Sequence, residues 1–157
     1  MQSDPRAMVG RLVRLARDGE LEAVVCSLSL LGYANAGQRE RMGQLLATLI
    51  ETTSSLLLRH AEPSPEFGMF GVDLRRPDGT TVDIDALDPP VRATIRALLA
   101  HVNGHPEDAG EQIALAVAGS DRATADAVVM ALRWTVNAVE SCAENGVALP
   151  DWLGAAS

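Results

Sequence analysis

The stretch NAGQRERMGQLLATLIETTSSLLLRH, residues 35–60, decides the fold class. Met42, Leu45, Leu46, Leu49, Ile50, Thr53, Leu56 and Leu57 recur at steps of three and four. That is the period of an α-helix with one face turned to a core. Asn35 opens the pattern and Gln38 follows three residues later, as in a capping box. The spacing predicts a long amphipathic helix ending near His60. Such a helix gains most of its stability by burying its apolar face on other elements.

Helix punctuation continues to either side. Upstream, Asp4 and Pro5 suit a cap and first turn, and Met8, Val9, Leu12, Val13, Leu15 and Ala16 form an apolar side. Asp18-Gly19 stops that helix. A second is expected from about Glu20, with Leu21, Val24, Val25, Leu28 and Leu31 on a stripe, up to Gly32. Downstream, Asp88-Pro89-Pro90 opens a fourth helix with Val91, Ile95, Leu98, Leu99 and Val102, closed by Asn103-Gly104. A fifth starts at Pro106, carries Ile113, Ala116 and Val117, and stops at Gly119. Ser120 caps a sixth, lined by Val128, Val129, Leu132, Val136 and Val139 and ended by Asn145-Gly146. In the tail, Pro150-Asp151-Trp152-Leu153 is expected to dock Trp152 back onto the body.

Between the halves the pattern changes period. Pro63 and Pro65 exclude a helix. Phe70, Val72 and Leu74 alternate with Gly71, Asp73 and Arg75. Arg76-Pro77-Asp78-Gly79 reads as a turn, and Val82 and Ile84 then share a face. This predicts a β-hairpin over 66–86. The expected fold is mainly α: about six helices in one bundle-like domain with a central β-hairpin. The helical halves are 4–60 and 88–146, and the tail is 147–157. An offset of 85 residues relates Asp18-Gly19 to Asn103-Gly104, Asn35 to Ser120, Glu22 to Glu107, Leu28 to Ile113 and Met42 to Ala127. This suggests two three-helix halves, each medium, short and long. Side-chain identity between them is poor, so chance alignment of helix punctuation is the competing reading.

Composition narrows the function. With 157 residues, 47% of them hydrophobic, the chain has enough material for one core without staples. Aromatic residues make up 3%, too few for stacking platforms along a single-stranded nucleic acid. The formal net charge is -8, which repels phosphate backbones, so no nucleic-acid partner is expected. There is no lysine, which removes Schiff-base chemistry and a P-loop. Arg11, Arg14 and Arg17 lie three apart along one helical flank, which reads as a solvated face. No apolar run approaches the ~20 residues of a membrane span, and the first residues lack a secretory pattern. A cytoplasmic protein with no membrane partner is expected. Cys26 and Cys142 both fall in apolar helical patterns, which predicts buried, inert thiols; a disulfide between them is the alternative.

The residues able to carry chemistry are few. His101 and His105 have the spacing of two ligands on a helix face, but Gly104 and Pro106 surround His105. His60 closes the long helix, and Glu62, Glu66, Glu107 and Asp108 are nearby carboxylates. A metal site there competes with simple helix-end polarity, which is the stronger reading, so no cofactor or metal is assigned. Asp83, Asp85 and Asp88 do not match a calcium loop. The serines lack an elbow motif, so no catalytic residue is assigned. The leading expectation is therefore a non-enzymatic interaction or regulatory module. Its partner is another protein, or the chain itself as a homodimer. Its surface is the hairpin, through Phe70, Val72, Asp73, Arg75, Arg76, Asp83 and Asp85, whose strand edge is free for pairing. The alternative is a small-molecule-binding bundle with His60, His101, Arg133 and Trp134 lining the pocket. A metal-dependent enzyme built on the histidines comes third.

Overall fold

The computed structural model describes residues 4–20, 22–24, 36–60, 70–71, 74–76 and 78–154. Its elements are α1 (Pro5–Arg17), α2 (Ala36–His60), a 3-10 turn (Ile84–Ala86), α3 (Pro89–Val102), α4 (Pro106–Ala116), α5 (Asp121–Glu144) and the single turn α6 (Asp151–Gly154). Residues 22–24 are also helical; the remainder of the expected second helix lies outside the described residues.

Local chemistry accounts for the helix ends. The Asp4 carboxylate accepts from the Arg6 N–H at 3.1 Å, and the Ser120 hydroxyl accepts from the Ala123 N–H at 3.1 Å. α1 closes with Asp18, Gly19 and Glu20 donating to the carbonyls of Arg14, Ala16 and Leu15. α3 closes with Asn103, Gly104 and His105 donating to those of Leu99, His101 and Ala100. Each bond in the second set sits 85 residues on from its counterpart. Gly19 and Gly104 supply the left-handed residue at φ +83° and +82°. α2 and α5 also begin at that offset, at Ala36 and Asp121. The same three-bond closure also ends α5, with Asn145, Gly146 and Val147 donating to the carbonyls of Ser141, Ala143 and Cys142, so it is the common way these helices stop.

The two long helices form the centre. Arg39 pairs with Asp121 at 3.4 Å where they start. Thr53 and Thr135 share a hydrogen bond of 2.8 Å midway. The Cys142 thiol donates to the Leu56 carbonyl at 3.7 Å, and Arg59 to the Ala148 carbonyl, where they end. The offset between partners stays nearly constant, so α2 and α5 run parallel with their starts level. α1 packs against both, and so does α3, as a two-fold axis along the pair requires; α4 lies mainly on α3 and α6 on α1.

Met42, Leu46, Leu49, Ile50 and Leu56 of α2 meet Val128, Leu132 and Val139 of α5, with Val9 and Val13 of α1. Every residue of the expected α2 stripe is buried except Leu57, which is half-buried. Ala127, Ala131 and Ala138 are buried as well. Small side chains there allow close approach of the helix backbones.

The Thr53–Thr135 bond fixes the register of the long pair inside this core. The Thr135 oxygen also lies 3.0 Å from the Ala131 carbonyl and 3.4 Å from that of Leu49. Thr135→Val keeps the shape but strands the Thr53 hydroxyl in a buried place. It is expected to cost about 1–3 kcal/mol. Thr53→Val with Thr135→Val is expected to cost less than the single change, because no polar partner is left behind. Urea denaturation of both variants checks this; equal or greater loss in the double variant would refute it.

The expected central hairpin is not formed. Among the described residues there is no β-strand, only an isolated antiparallel bridge between Arg75 and Thr81. The turn itself exists: Arg76 donates to the Thr80 carbonyl, Gly79 to that of Arg76 and Val82 to that of Leu74. Two side chains then end the ladder. The Asp83 carboxylate accepts from the Asp85 N–H at 3.0 Å and winds Ile84–Ala86 into the 3-10 turn. Ile84, expected on a strand face, is therefore part of a turn. At the other end, the Asn103 side chain takes both the N–H and the carbonyl of Phe70, at 2.8 and 3.1 Å. Those groups cannot serve a neighbouring strand.

Candidate functional site

The residues expected to carry function do not converge. Val72 and Asp73 lie outside the described residues. Phe70 is half-buried and held by Asn103. Arg75 and Arg76 are exposed on the turn, and Arg76 reaches the Thr80 hydroxyl at 3.4 Å. Asp83 serves its own backbone. Asp85 pairs with Arg96 of α3 at 2.7 Å, and its carbonyl accepts from Arg92. Asp85 thus ties this segment to α3. Asp78 does local work too: the Thr80 hydroxyl and N–H hold its carboxyl below the usual carboxylate range.

α3 ends at Val102, so His101 and His105 do not share a helix face. The Nδ1 atom of His101 lies 3.0 Å from the hydroxyl of Ser54, which is buried in α2. His105 is the exposed cap residue before α4, and His60 is the last residue of α2. Glu62 and Glu66 fall outside the described residues. Among the described residues no three His, Cys, Asp or Glu side chains gather. Cys142 is buried, and burial pushes its thiol pKa up against a weaker opposing pull from Arg59. A thiol held protonated is a poor nucleophile. Cys26 lies outside the described residues. Trp134 packs partly buried against the core, with Arg133 exposed beside it.

Two features of α1 stand out: the arginine flank, read from the sequence as a solvated face, and a cleft that the sequence did not show. The first is electrostatic. Arg39, Arg59, Arg76, Arg92 and Arg96 are all engaged by carboxylates, carbonyls or a hydroxyl. Arg11, Arg14 and Arg17 are exposed, and among the described residues their guanidinium groups meet no hydrogen-bond or ion-pair partner. No acidic residue lies within α1 itself. Its outer face is thus a basic strip on a protein of net charge -8.

The second is a cleft where α1, α2 and the tail meet. It is lined by Arg6, Thr48, Glu51, Thr52, Ser55, Pro150 and Trp152, and has a volume of about 100 Å³ open to solvent. Trp152 docks on α1, as the tail pattern suggested. A Cβ placed on Gly10 would stand 3.1 Å from the Trp152 carbonyl oxygen, so only glycine allows this approach unaltered. The Thr48 and Thr52 hydroxyls donate to the carbonyls of Gln44 and Thr48. Their protons are spent on the helix, and toward the cleft they can only accept. No signal for this site was available in the sequence, because its residues come from three distant segments.

Among the described residues no helix is long and apolar enough to cross a membrane. No protein-family model, curated protein or solved structure matches the chain.

Proposed function

We propose that this protein is an interaction module that presents the outer face of α1 to an acidic segment of a protein partner. One observation carries the reading: Arg11, Arg14 and Arg17 stand exposed and unengaged along one flank of a helix that contains no acidic residue, whereas Arg41, Arg122 and Arg133, also exposed, lie on helices that carry carboxylates. Exposed charge of this kind steers association and sets specificity more than it sets affinity. The surrounding acidic surface disfavours a polyanion as long as nucleic acid. The hairpin edge first expected to serve as the surface has no strand to offer among the described residues.

Fluorescence anisotropy with a labelled Glu-rich peptide tests the reading. Binding is expected to weaken as salt rises and to be lost in Arg11→Glu/Arg14→Glu/Arg17→Glu. The control Arg41→Glu/Arg122→Glu/Arg133→Glu makes the same charge change on other exposed positions and is expected to keep most of the binding. Equal loss in both variants would show that net charge alone acts, and would refute the assignment to α1. Tighter binding of a single-stranded RNA of equal charge would refute the protein partner.

A further inference from the structure

We propose that the cleft between α1, α2 and the tail binds a small zwitterion of the amino-acid class with an apolar side chain. Arg6 and Glu51 both line it, and among the described residues they form no ion pair with each other or with any other group. A cation and an anion thus face one space uncompensated. Both side chains are exposed and hydrated, so a ligand of single charge would use one of them and a neutral apolar ligand neither. A molecule carrying ammonium and carboxylate together answers both.

The remaining walls sort by the same chemistry. The Thr48 and Thr52 oxygens flank Glu51 on α2 and present lone pairs, which suits an ammonium. The Ser55 hydroxyl, one turn after Glu51 on the same helix face, meets no partner among the described residues and can donate to the ligand's carboxylate. Pro150 and the Trp152 ring supply the apolar wall, and the contact at Gly10 fixes that wall against α1. The cleft of about 100 Å³ opens to solvent, so a ligand of this class would sit with part of its surface exposed.

The internal repeat strengthens the case. The positions 85 residues on from Arg6 and Glu51 are Val91 and Val136, whereas Pro150, Asp151 and Trp152 correspond to Pro65, Glu66 and Phe67. At that offset the proline–acid–aromatic element recurs in the sequence. The two charges do not, so the architecture does not require them.

Thermal shift and tryptophan fluorescence with three probes test the proposal: L-leucine, N-acetyl-leucine (no ammonium) and leucinamide (no carboxylate). At about 10 mM leucine a site with a Kd of about 1 mM is expected to raise the Tm by roughly 3–6 °C. Each blocked probe is expected to bind about tenfold more weakly. Arg6→Gln and Glu51→Gln are surface changes that leave the unliganded Tm close to that of the parent, and each is expected to abolish the leucine response. No saturable response to leucine, equal responses to all three probes, or a full response in either variant would overturn it. These readouts do not involve Arg11, Arg14 or Arg17, so they stand or fall apart from the acidic-partner reading.

Discussion

Leu132→Ala is expected to lower the unfolding free energy by about 2–5 kcal/mol. Leu132 is fully buried in α5, in the cluster formed with Leu46, Leu49 and Ile50 of α2. Removing its isobutyl group forfeits the transfer free energy of the lost carbons. It also leaves a cavity between two helices that cannot close freely, because the Thr53–Thr135 bond and the Arg39–Asp121 pair hold their register. For a chain of this length each kcal/mol lowers the Tm by roughly 2–4 °C. Leu132→Met, nearly equal in volume, is expected to lose less than about 1.5 kcal/mol. Leu115→Ala is the matched surface control: Leu115 is 62% exposed, and its loss is expected to stay within about 0.5 kcal/mol. Chemical denaturation of the three variants decides the matter. If Leu115→Ala proved as costly as Leu132→Ala, the packing of the long pair described above would be wrong.

Asn103→Ala is expected to release the segment between the halves. One amide side chain makes three hydrogen bonds there. Its oxygen accepts from the Phe70 N–H at 2.8 Å, and its nitrogen donates to the carbonyls of Phe70 at 3.1 Å and Leu99 at 2.9 Å. Alanine leaves the partly buried backbone groups of Phe70 unsatisfied, at a cost of about 1–3 kcal/mol. The consequence is expected to be local, in the bridge and turn that follow Phe70, which the Arg96–Asp85 pair and the Arg92 contact also join to α3. Hydrogen exchange is expected to quicken at the amides of Phe70, Arg76 and Val82 while the middles of α2 and α5 stay protected. Asn103→Asp keeps the acceptor for the Phe70 N–H and is expected to fall between alanine and the parent. Unchanged exchange at Phe70 in Asn103→Ala would show that the segment is held by something else.

Asn103 also shows where reading along the chain stopped short. Beside Gly104 it reads as a helix stop, and it is one. Its second task, gripping Phe70, needs a partner 33 residues away, and nothing in the local pattern announces it. The hairpin failed for a related reason. Alternation of Val82 and Ile84 with polar residues is a valid strand signal, but it does not weigh Asp83 capping its own backbone against a ladder of a single bridge. The charges at Asp85 and Arg96 were visible, and their pairing was not.

By itself the sequence determined the helices: where the described ones start, where they stop, and which face of α2 goes inside. Those are local properties. Caps, breakers and a 3.6-residue period act over a turn or two, and each is written in adjacent residues. It also held the 85-residue spacing, since repeated punctuation survives where side chains have diverged. Only the tertiary structure decided that α2 and α5 run parallel and level, that Asn103 grips Phe70, and that Arg6, Glu51 and Trp152 share a cleft. Each joins residues tens of positions apart, and which distant segments meet is set by how the helix faces fit together in three dimensions.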